Sequence, residues 1–379
     1  MTSLTSSSRI DHSSGTAARE GDTAFGIHQV LAAAAPGDAV TNAALEFRDV
    51  LSLAAPSEIY ARHVAPELSG EVRLLREFSA RDHRGVLLYH ASIGEPVVTA
   101  FLHSRREPVV LVYHNITPAR YFEPWDREFA KLLALGRREI LGLRDRVAVA
   151  IADSAFNAAE LDGMGYRDIR VIPPVINPRR LLDCAPDSAM LNYLDTVLKV
   201  PFVLFVGQLV PHKRPELLVE AMHIARTYLG MHACLLLVGP QRFPRFTTAI
   251  IDQVRQLNLS TVHVVGGIPD ANLVATFRRA RAMVTASEHE GFCVPLLEAM
   301  AFGLPVVARA CAAIPEVVGD GGLLLPPDAD PRLIAEAIRH VVIDDDLRAD
   351  LSERGVRRVE QFDEDGARRA LLATLNEVV

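Results

Sequence analysis

Residues 284–308 read VTASEHEGFCVPLLEAMAFGLPVVA. The pattern predicts a strand, a loop, a helix, a turn and a second strand, because Pro295 suits the first turn of a helix and Gly303 with Pro305 ends one. The loop 290–293 then lies at a helix N-terminus, where free backbone N–H groups and the helix dipole attract anions. The stretch therefore predicts a diphosphate-binding site in an α/β protein.

Short β-branched runs alternate with longer stretches of helical periodicity on both sides of this site. Such alternation is typical of parallel sheets covered by helices, and 379 residues exceed what one hydrophobic core usually serves. We expect two Rossmann-like domains whose strand ends face a central cleft. The candidate strands are Gly26–Leu31, Ile59–Ala61, Gly85–His90, Val109–His114, Val147–Ala152 and Ile169–Ile172 in the first half, and Phe202–Val206, Ala233–Val238, Thr261–Val265, Ala282–Thr285, Pro305–Ala308 and Gly322–Leu325 in the second.

The proline-rich run PPVINP at residues 173–178 marks the boundary between the two series of strands. Prolines restrict their own backbone and that of the preceding residue, which is typical of a connection between domains. The predicted organisation is a disordered tail over residues 1–22, an N-terminal acceptor domain over 23–178, a linker over 179–200, a C-terminal donor domain over 201–355 and a helix over 356–379 that packs back toward the N-terminal domain.

Composition excludes several classes of function. A net charge of −7 argues against nucleic acid as the main partner. The N-terminal residues contain no apolar core typical of a secretion signal, and no apolar run approaches the ~18 residues of a membrane span. The four cysteines are scattered without metal-ligand spacing, so we expect reduced, buried thiols in a cytoplasmic protein. The basic stretch Lys131–Arg146 is a solvated face or a peripheral contact with anionic lipid.

Three residues of the predicted site have separate expected roles. Gly291 lets the backbone approach a ligand closely, because it has no side chain. Glu290 precedes the helix and points at whatever the diphosphate carries. Glu298 lies about one turn inside the helix, where it can reach a neutral polar group such as a ribose diol.

Residues 290–300, EGFCVPLLEAM, resemble the signature EGFxxPxxEAM of the family 4 retaining glycosyltransferases, which have the two-domain GT-B fold. The resemblance implies that Glu290 contacts the donor sugar near its reacting carbon and that Glu298 holds the nucleotide ribose. The amides of Gly291, Phe292, Cys293 and Val294 would then hold the diphosphate. The phrase YHNITP at residues 113–118 resembles a bacterial branch of this family.

A second motif, in the run FVGQLVPHKRPE at residues 205–216, resembles the family pattern VGRxxxxK. The resemblance places Gly207 in the turn and Lys213 on the diphosphate, where a cation stabilises the departing negative charge. Gln208 replaces the family arginine. We expect Arg214 or another basic residue to compensate, or turnover to be slower.

Other strand ends supply further candidates for the donor site. The resemblance places His114 against the donor sugar, with His90 as its rival at the end of the preceding candidate strand. It also places Ile268 near the nucleobase and allows close backbone approach at Gly37. Asp38 and Ser154 have the simpler expected role of helix caps. Gly239 closes a strand at the same edge, where it is either a donor-binding glycine or only a turn glycine.

The expected reaction is metal-independent transfer of a hexose from a nucleotide sugar to a hydroxyl acceptor, with retention of configuration and without a cofactor. GDP-mannose is the favoured donor, and UDP- or ADP-sugars are the alternatives. The acceptor is a lipid-linked or cell-envelope glycan made at the inner face of the membrane, or a small soluble molecule. Other classes compatible with the same fold are a sugar-nucleotide epimerase, a glycan phosphorylase and a non-catalytic sugar-nucleotide-binding subunit, the last because of Gln208.

Overall fold

Two fully parallel sheets form the frame of the protein. The computed structural model describes residues 25–79 and 85–378. The tail predicted over residues 1–22 lies outside the described residues. Every predicted strand coincides with an observed one, although the short strand Arg73–Leu74 was not predicted. The predicted GT-B architecture of two α/β domains is therefore confirmed.

The first half of the chain contains seven strands and four α-helices among the described residues. The strands are β1 Gly26–Ala34, β2 Ile59–Val64, β3 Arg73–Leu74, β4 Gly85–Ala91, β5 Val109–Tyr113, β6 Val147–Ala152 and β7 Ile169–Val171. The helices are α1 Ala39–Leu51, α2 Pro96–Ser104, α3 Arg127–Leu143 and α4 Ala155–Gly163.

The second half contains the remaining six strands of the described chain. They are β8 Phe202–Val206, β9 Cys234–Val238, β10 Val262–Gly266, β11 Ala282–Thr285, β12 Val306–Arg309 and β13 Leu323–Leu325. The helices are α5 Ser188–Tyr193, α6 Pro215–Tyr228, α7 Pro244–Gln256, α8 Asp270–Arg279, α9 Val294–Ala301, α10 Ile314–Val318, α11 Pro331–Ile343, α12 Asp345–Val359 and α13 Glu364–Asn376.

Strand order fixes where a ligand can bind. The sheets have the orders β3-β2-β1-β4-β5-β6-β7 and β10-β9-β8-β11-β12-β13. Each order reverses once, between β1 and β4 in the first sheet and between β8 and β11 in the second. In open parallel sheets the crevice at such a reversal, beyond the carboxyl ends of the strands, is the usual ligand site. The loop that follows β11, predicted to bind a diphosphate, therefore lies at the reversal of the second sheet.

Helices cover both faces of each sheet. In the second sheet, α6, α7 and α11 pack on one face around Leu235 and Val307, while α8, α9 and α10 pack on the other around Leu236 and Val306. Alternate residues of β9 and β12 thus belong to different cores, as the period of two of a strand requires. Burial on both faces explains why these strands are apolar along their whole length.

The segment 179–200 is largely helical and joins the core of the second domain. It contains a 3-10 turn at Arg180–Asp183, α5 and a π-turn at Leu194–Leu198. Leu181 and Leu194 are buried with residues of the second sheet. The amide of Asp187 also donates to the Ala271 carbonyl at 2.9 Å. Part of the segment predicted as a linker therefore packs on the second domain.

The last helix crosses back to the first domain. Leu371 and Leu375 of α13 are fully buried in one cluster with Ile27 of β1 and Phe47 of α1. Arg170 of β7 also binds Glu377 at 2.8 Å. The chain therefore joins the two domains twice, once after β7 and once before α13.

The basic stretch Lys131–Arg146 is only partly available to a partner. Arg137 donates to the carbonyl of Ile116 at 2.7 Å, and Arg146 donates to the carbonyl of Arg105 at 2.8 Å. These two cations stabilise their own domain. In the part of the chain that the structure describes, no helix has the length and apolar character needed to cross a bilayer.

Candidate active site

The residues that close the cleft come from four strand ends. β5 and β6 contribute His114 and Asp153 from the first domain. β8 leads to Lys213 through a 3-10 turn at Pro211–Lys213. β11 leads to residues 286–293, here called the glutamate loop, which precedes α9. The two sheets thus present their carboxyl ends to each other across one site.

Glu290 and Lys213 form a buried ion pair. The Lys213 ammonium lies 2.6 Å from Oε1 of Glu290, and the Ser287 hydroxyl donates to the same oxygen at 2.8 Å. Burial favours a raised pKa for Glu290, but Lys213 and these hydrogen bonds outweigh it and leave the pKa below its ordinary value. Burial opposes the charge of Lys213, and Glu290 outweighs that effect and raises the lysine pKa. Both groups are therefore charged at neutral pH.

His212, which precedes Lys213, is neutral. Burial is the main cause that lowers the pKa of His212 to about 3. Its ring lies against Phe122 of the first domain with 5.8 Å between ring centroids. His212 therefore packs as an aromatic residue between the domains, and the positive charge of this turn belongs to its neighbours.

Gly291 permits the close approach of the two domains. A Cβ atom at this position would lie 2.8 Å from the carbonyl oxygen of His114 and 2.9 Å from Cβ of Asn115. Both distances are too short for any side chain at residue 291. The structure thus gives this glycine a role that the sequence did not predict, namely room for the opposite strand end, and its approach to a ligand stays a prediction.

A chain of hydrogen bonds starts at Asp153 and passes through two histidines. The Asp153 carboxylate lies 2.8 Å from Nδ1 of His114. Nε2 of His114 lies 2.8 Å from Nδ1 of His90. Nε2 of His90 lies 2.8 Å from the side-chain oxygen of Gln29. His114 and His90, predicted as rivals, therefore belong to one network.

The proton count of this chain requires a charged ring. Asp153 presents a carboxylate at one end, and Gln29 presents its oxygen at the other because its amide nitrogen donates to the Ala44 carbonyl. Three hydrogen bonds between two acceptors need three N–H groups on two imidazoles, so one ring is an imidazolium. Burial, with the neighbouring His114 as the second cause, lowers the pKa of His90 well below its ordinary value.

Polar contacts that the sequence did not predict hold the glutamate loop against the first domain. Nε2 of His289 lies 2.6 Å from the side-chain oxygen of Asn115. The Ser154 hydroxyl donates to the carbonyl of Gly291 at 2.8 Å and also caps α4, as predicted. The Glu316 carboxylate accepts from the first two amides of α4 at 2.8 and 2.9 Å. A carboxylate from the second domain thus complements the positive end of a first-domain helix.

Glu298 lies on α9 toward the connection between the domains. Its carboxylate is 3.7 Å from the Arg180 guanidinium, and the whole side chain is mostly buried. Burial raises the pKa of Glu298, Arg180 opposes the rise and Asp270 adds to it. Ile268 is half-buried and packs against the same core as α9. The two residues predicted to hold ribose and base therefore lie on one side of the site.

Arg214, which was predicted to compensate for Gln208, forms ion pairs within the second domain. Its guanidinium forms short contacts with the carboxylates of Glu216 and Glu288. Compensation for Gln208 by Arg214 stays a prediction. Gln208 is half-buried in the loop beside Gly207. Lys213 is the cation of this loop that contacts Glu290.

The remaining glycines of the prediction have distinct local roles. Gly207 has a φ of 152°, and the Lys213 side chain would lie 3.4 Å from its Cβ. Gly239 faces the carbonyl of Gly207, which leaves no space for a Cβ. Gly37 has a φ of 69° with open space around it. The Asp38 carboxylate accepts from the Thr41 amide at 3.0 Å and caps α1, as predicted.

The cysteines are free thiols, but only two of them are buried. Cys234 and Cys293 are buried, whereas Cys184 and Cys311 are half-buried, which corrects the expectation of four buried thiols. Cys293 caps α9 in the left-handed region, with φ at 80°. Burial is the main cause that raises the pKa of this thiol, and Glu290 adds to the rise.

Comparison with known proteins agrees with this geometry. Residues 194–358 match the family model described as glycosyl transferases group 1. O-antigen chain mannosyltransferase B of Escherichia coli is 31% identical over 271 residues, which are 69% of this chain and 68% of that protein. Sucrose-phosphate synthase of Thermosynechococcus elongatus has a TM-score of 0.74 at 20% identity over 93% of this chain and 99% of its own. Anabaena HepE, solved in complex with UDP-glucose, has a TM-score of 0.73 at 17% identity over 93% and 99% of the two chains.

The two facing parallel sheets and the similarity to solved structures show the GT-B fold. The protein belongs to the group 1 glycosyl transferases, as the family model and the Escherichia coli relative show. Membership of this family favours glycosyl transfer over the epimerase, phosphorylase and non-catalytic alternatives.

Cys293 provides a test of backbone strain in the glutamate loop. We expect Cys293→Gly to be more stable than Cys293→Ala by about 1 kcal/mol, because both variants lose the thiol but only alanine keeps a Cβ in the left-handed region. Urea unfolding of the two variants measures the difference. Equal stability, or a more stable alanine variant, would show that the loop relaxes away from its positive φ.

Proposed function

We propose that the protein is a family 4 retaining hexosyltransferase that needs neither metal nor cofactor and transfers a hexose from a nucleotide sugar to a hydroxyl acceptor. The observation that carries the proposal is the ion pair between Lys213 and Glu290 at the start of α9, opposite His114. Free amides at the helix start and a buried ammonium together suit a leaving diphosphate.

In the proposed reaction the bond between the anomeric carbon and the diphosphate breaks, and the acceptor oxygen forms a new bond to that carbon from the same face. The acceptor proton passes to the departing phosphate oxygen, so a nucleoside diphosphate and a glycoside result. Lys213 stabilises the negative charge that develops on the diphosphate. Glu290 stabilises the positive charge that develops on the sugar, while both ring nitrogens of His114 are engaged by Asp153 and His90.

The favoured donor is GDP-mannose. The Escherichia coli relative is a mannosyltransferase, which supports a mannosyl donor. HepE was solved with UDP-glucose, which makes a UDP-sugar the second candidate. The name of the Escherichia coli relative refers to an O-antigen chain. We therefore propose a lipid-linked or cell-envelope glycan as acceptor at the cytoplasmic face of the membrane.

The proposal is tested first by thermal unfolding with GDP, UDP and ADP. A nucleotide that binds only the native state at 100 times its Kd stabilises that state by about 2.7 kcal/mol, and we expect GDP to give the largest rise in Tm. Transfer from the matching nucleotide sugar is then followed by NMR in the presence of EDTA. A product with inverted configuration, or loss of transfer in EDTA, would contradict the proposal.

Glu298 makes nucleotide binding sensitive to mild acid. Because its pKa is raised, the carboxylate takes up a proton at a higher pH than an ordinary glutamate and loses an acceptor for the ribose diol. We expect nucleotide affinity to fall roughly tenfold as the pH drops through this raised pKa. Titration of the nucleotide across that pH range measures the loss. Glu298→Gln is the control and should give weaker, pH-independent binding, whereas an unchanged pH profile in this variant would remove Glu298 from the site.

Lys213 and Gln208 test the charge on the diphosphate. We expect Lys213→Met to lower kcat by roughly 10²- to 10³-fold, because a charge-stabilising group is lost in the transition state. The single variant also leaves Glu290 buried and unpaired, so Lys213→Met with Glu290→Gln is the control for folding. If the double variant folds and retains full turnover, the diphosphate is bound elsewhere.

Gln208→Arg restores the family charge and should raise affinity for the nucleoside diphosphate about tenfold.

A further inference from the structure

A cavity of about 410 Å³ lies between the two domains beside the glutamate loop. We call it the side cavity. Its volume falls in the range of about 300–1,000 Å³ that small-molecule sites occupy. Arg120, Tyr121 and Trp125 line it from the first domain, and Pro211, Arg214, Glu216, Phe246, Ala249, Ile250 and Gln253 line it from the second.

Aromatic rings form one wall of the side cavity. Trp125 packs edge-to-face on Phe246, with 4.8 Å between the ring centroids. Trp125 is half-buried, so part of the indole remains open. A pyranose ring presents a face of C–H groups, and the negative face of an aromatic ring attracts these weakly positive hydrogens. The wall therefore suits a sugar ring better than an extended polar chain.

Glu216 contributes a carboxylate to the lining of the side cavity. Oε1 of Glu216 contacts Arg214, whereas Oε2 is shielded from solvent and has no hydrogen-bond partner among the residues that the structure describes. Buried polar atoms in native proteins are normally satisfied. Glu216 lines the side cavity, so a ligand there lies next to its side chain.

The charges around the side cavity nearly cancel. Arg214 is neutralised by Glu216 and Glu288, and the exposed Arg120 lies over the Tyr121 ring at 4.7 Å. The side cavity offers an anionic ligand no excess of positive charge, whereas it offers a neutral polyol both hydrogen-bond donors and hydrogen-bond acceptors. The chemistry therefore favours an uncharged saccharide over a phosphate group.

The side cavity adjoins the proposed site of transfer. Pro211 and Arg214 line the cavity, while Lys213 between them binds Glu290. The amide of Glu288 donates to the carbonyl of His212 at 2.8 Å, which joins this turn to the glutamate loop. A ligand in the cavity is thus separated from the Lys213–Glu290 pair by a single turn of backbone.

We propose that the side cavity binds a neutral sugar ring of the acceptor and positions its hydroxyl group for transfer. This inference rests on the proposed function, because it assigns the acceptor class for the same reaction. It commits to a glycan acceptor and makes Trp125, Glu216 and Gln253 residues that position the acceptor.

Trp125 is the single tryptophan of the chain, so intrinsic fluorescence reports directly on the side cavity. The experiment titrates the full chain, saturated with its nucleoside diphosphate, with mannotriose, maltotriose and glucose 6-phosphate. We expect a saturable fluorescence change with a neutral oligosaccharide and a weaker response to the phosphate. Absence of a saturable change with both oligosaccharides, or a preference for glucose 6-phosphate, overturns the proposal.

Variants separate binding from folding. Glu216→Gln should raise the midpoint of the oligosaccharide titration about tenfold. Gln253→Ala should weaken binding, whereas Gln256→Ala, on the same helix but exposed, should not. Equal behaviour of the two glutamine variants contradicts the proposal.

A transfer assay separates the acceptor from the donor. Trp125→Phe should raise KM for the oligosaccharide acceptor about tenfold and leave KM for the nucleotide sugar unchanged. The rise in Tm with nucleotide should persist in every variant of the side cavity. If nucleotide does not raise the Tm of the wild-type chain, the proposed donor site is contradicted. If Trp125→Phe leaves the acceptor KM unchanged, only the role of the side cavity is contradicted.

Discussion

The close contact between Gly291 and the end of β5 is the constraint on which the site depends. The carbonyl of His114 and Cβ of Asn115 lie where a side chain of residue 291 would be. Only a glycine lets the glutamate loop reach the opposite domain, and the bond from Ser154 to the Gly291 carbonyl then holds it there. Packed interfaces shift between discrete arrangements and do not deform continuously. Movement of either domain would therefore change the distance between His114 and Glu290.

The close contact between the two domains also shields the charged groups of the site from solvent. Glu290 is 9% exposed, and its partner Lys213 is similarly shielded. A buried ion pair contributes little net stability, because desolvation cancels most of the attraction, but the removal of one partner is costly. The pair is therefore better explained by function than by folding.

Local signals in the sequence predicted the fold and the helix caps. Strands such as β8 were predicted because a run of apolar residues between turns is visible within a few positions, and Asp38 caps a helix through a residue three positions away. Contacts between distant residues were not predictable. Asn115 and His289 are 174 positions apart, and Arg214 reaches Glu288 across 74 positions. The sequence therefore predicted which loops contribute to the site. It did not predict the ion pairs and hydrogen bonds between those loops, because these join residues far apart in the chain.

The short turn from Pro211 to Arg214 contributes side chains to two places, the glutamate loop and the side cavity. Arg214 has a left-handed backbone with φ at 50°, which costs a residue with a side chain roughly 1–2 kcal/mol. This conformation directs Lys213 to Glu290 and Arg214 to the two carboxylates beside the side cavity. A regular helical residue at 214 would continue the 3-10 turn and could not start α6 at Pro215. The charge-assisted bonds to Glu216 and Glu288 offset the backbone cost, so the ion pairs of Arg214 hold the geometry that keeps Lys213 free to face the glutamate loop.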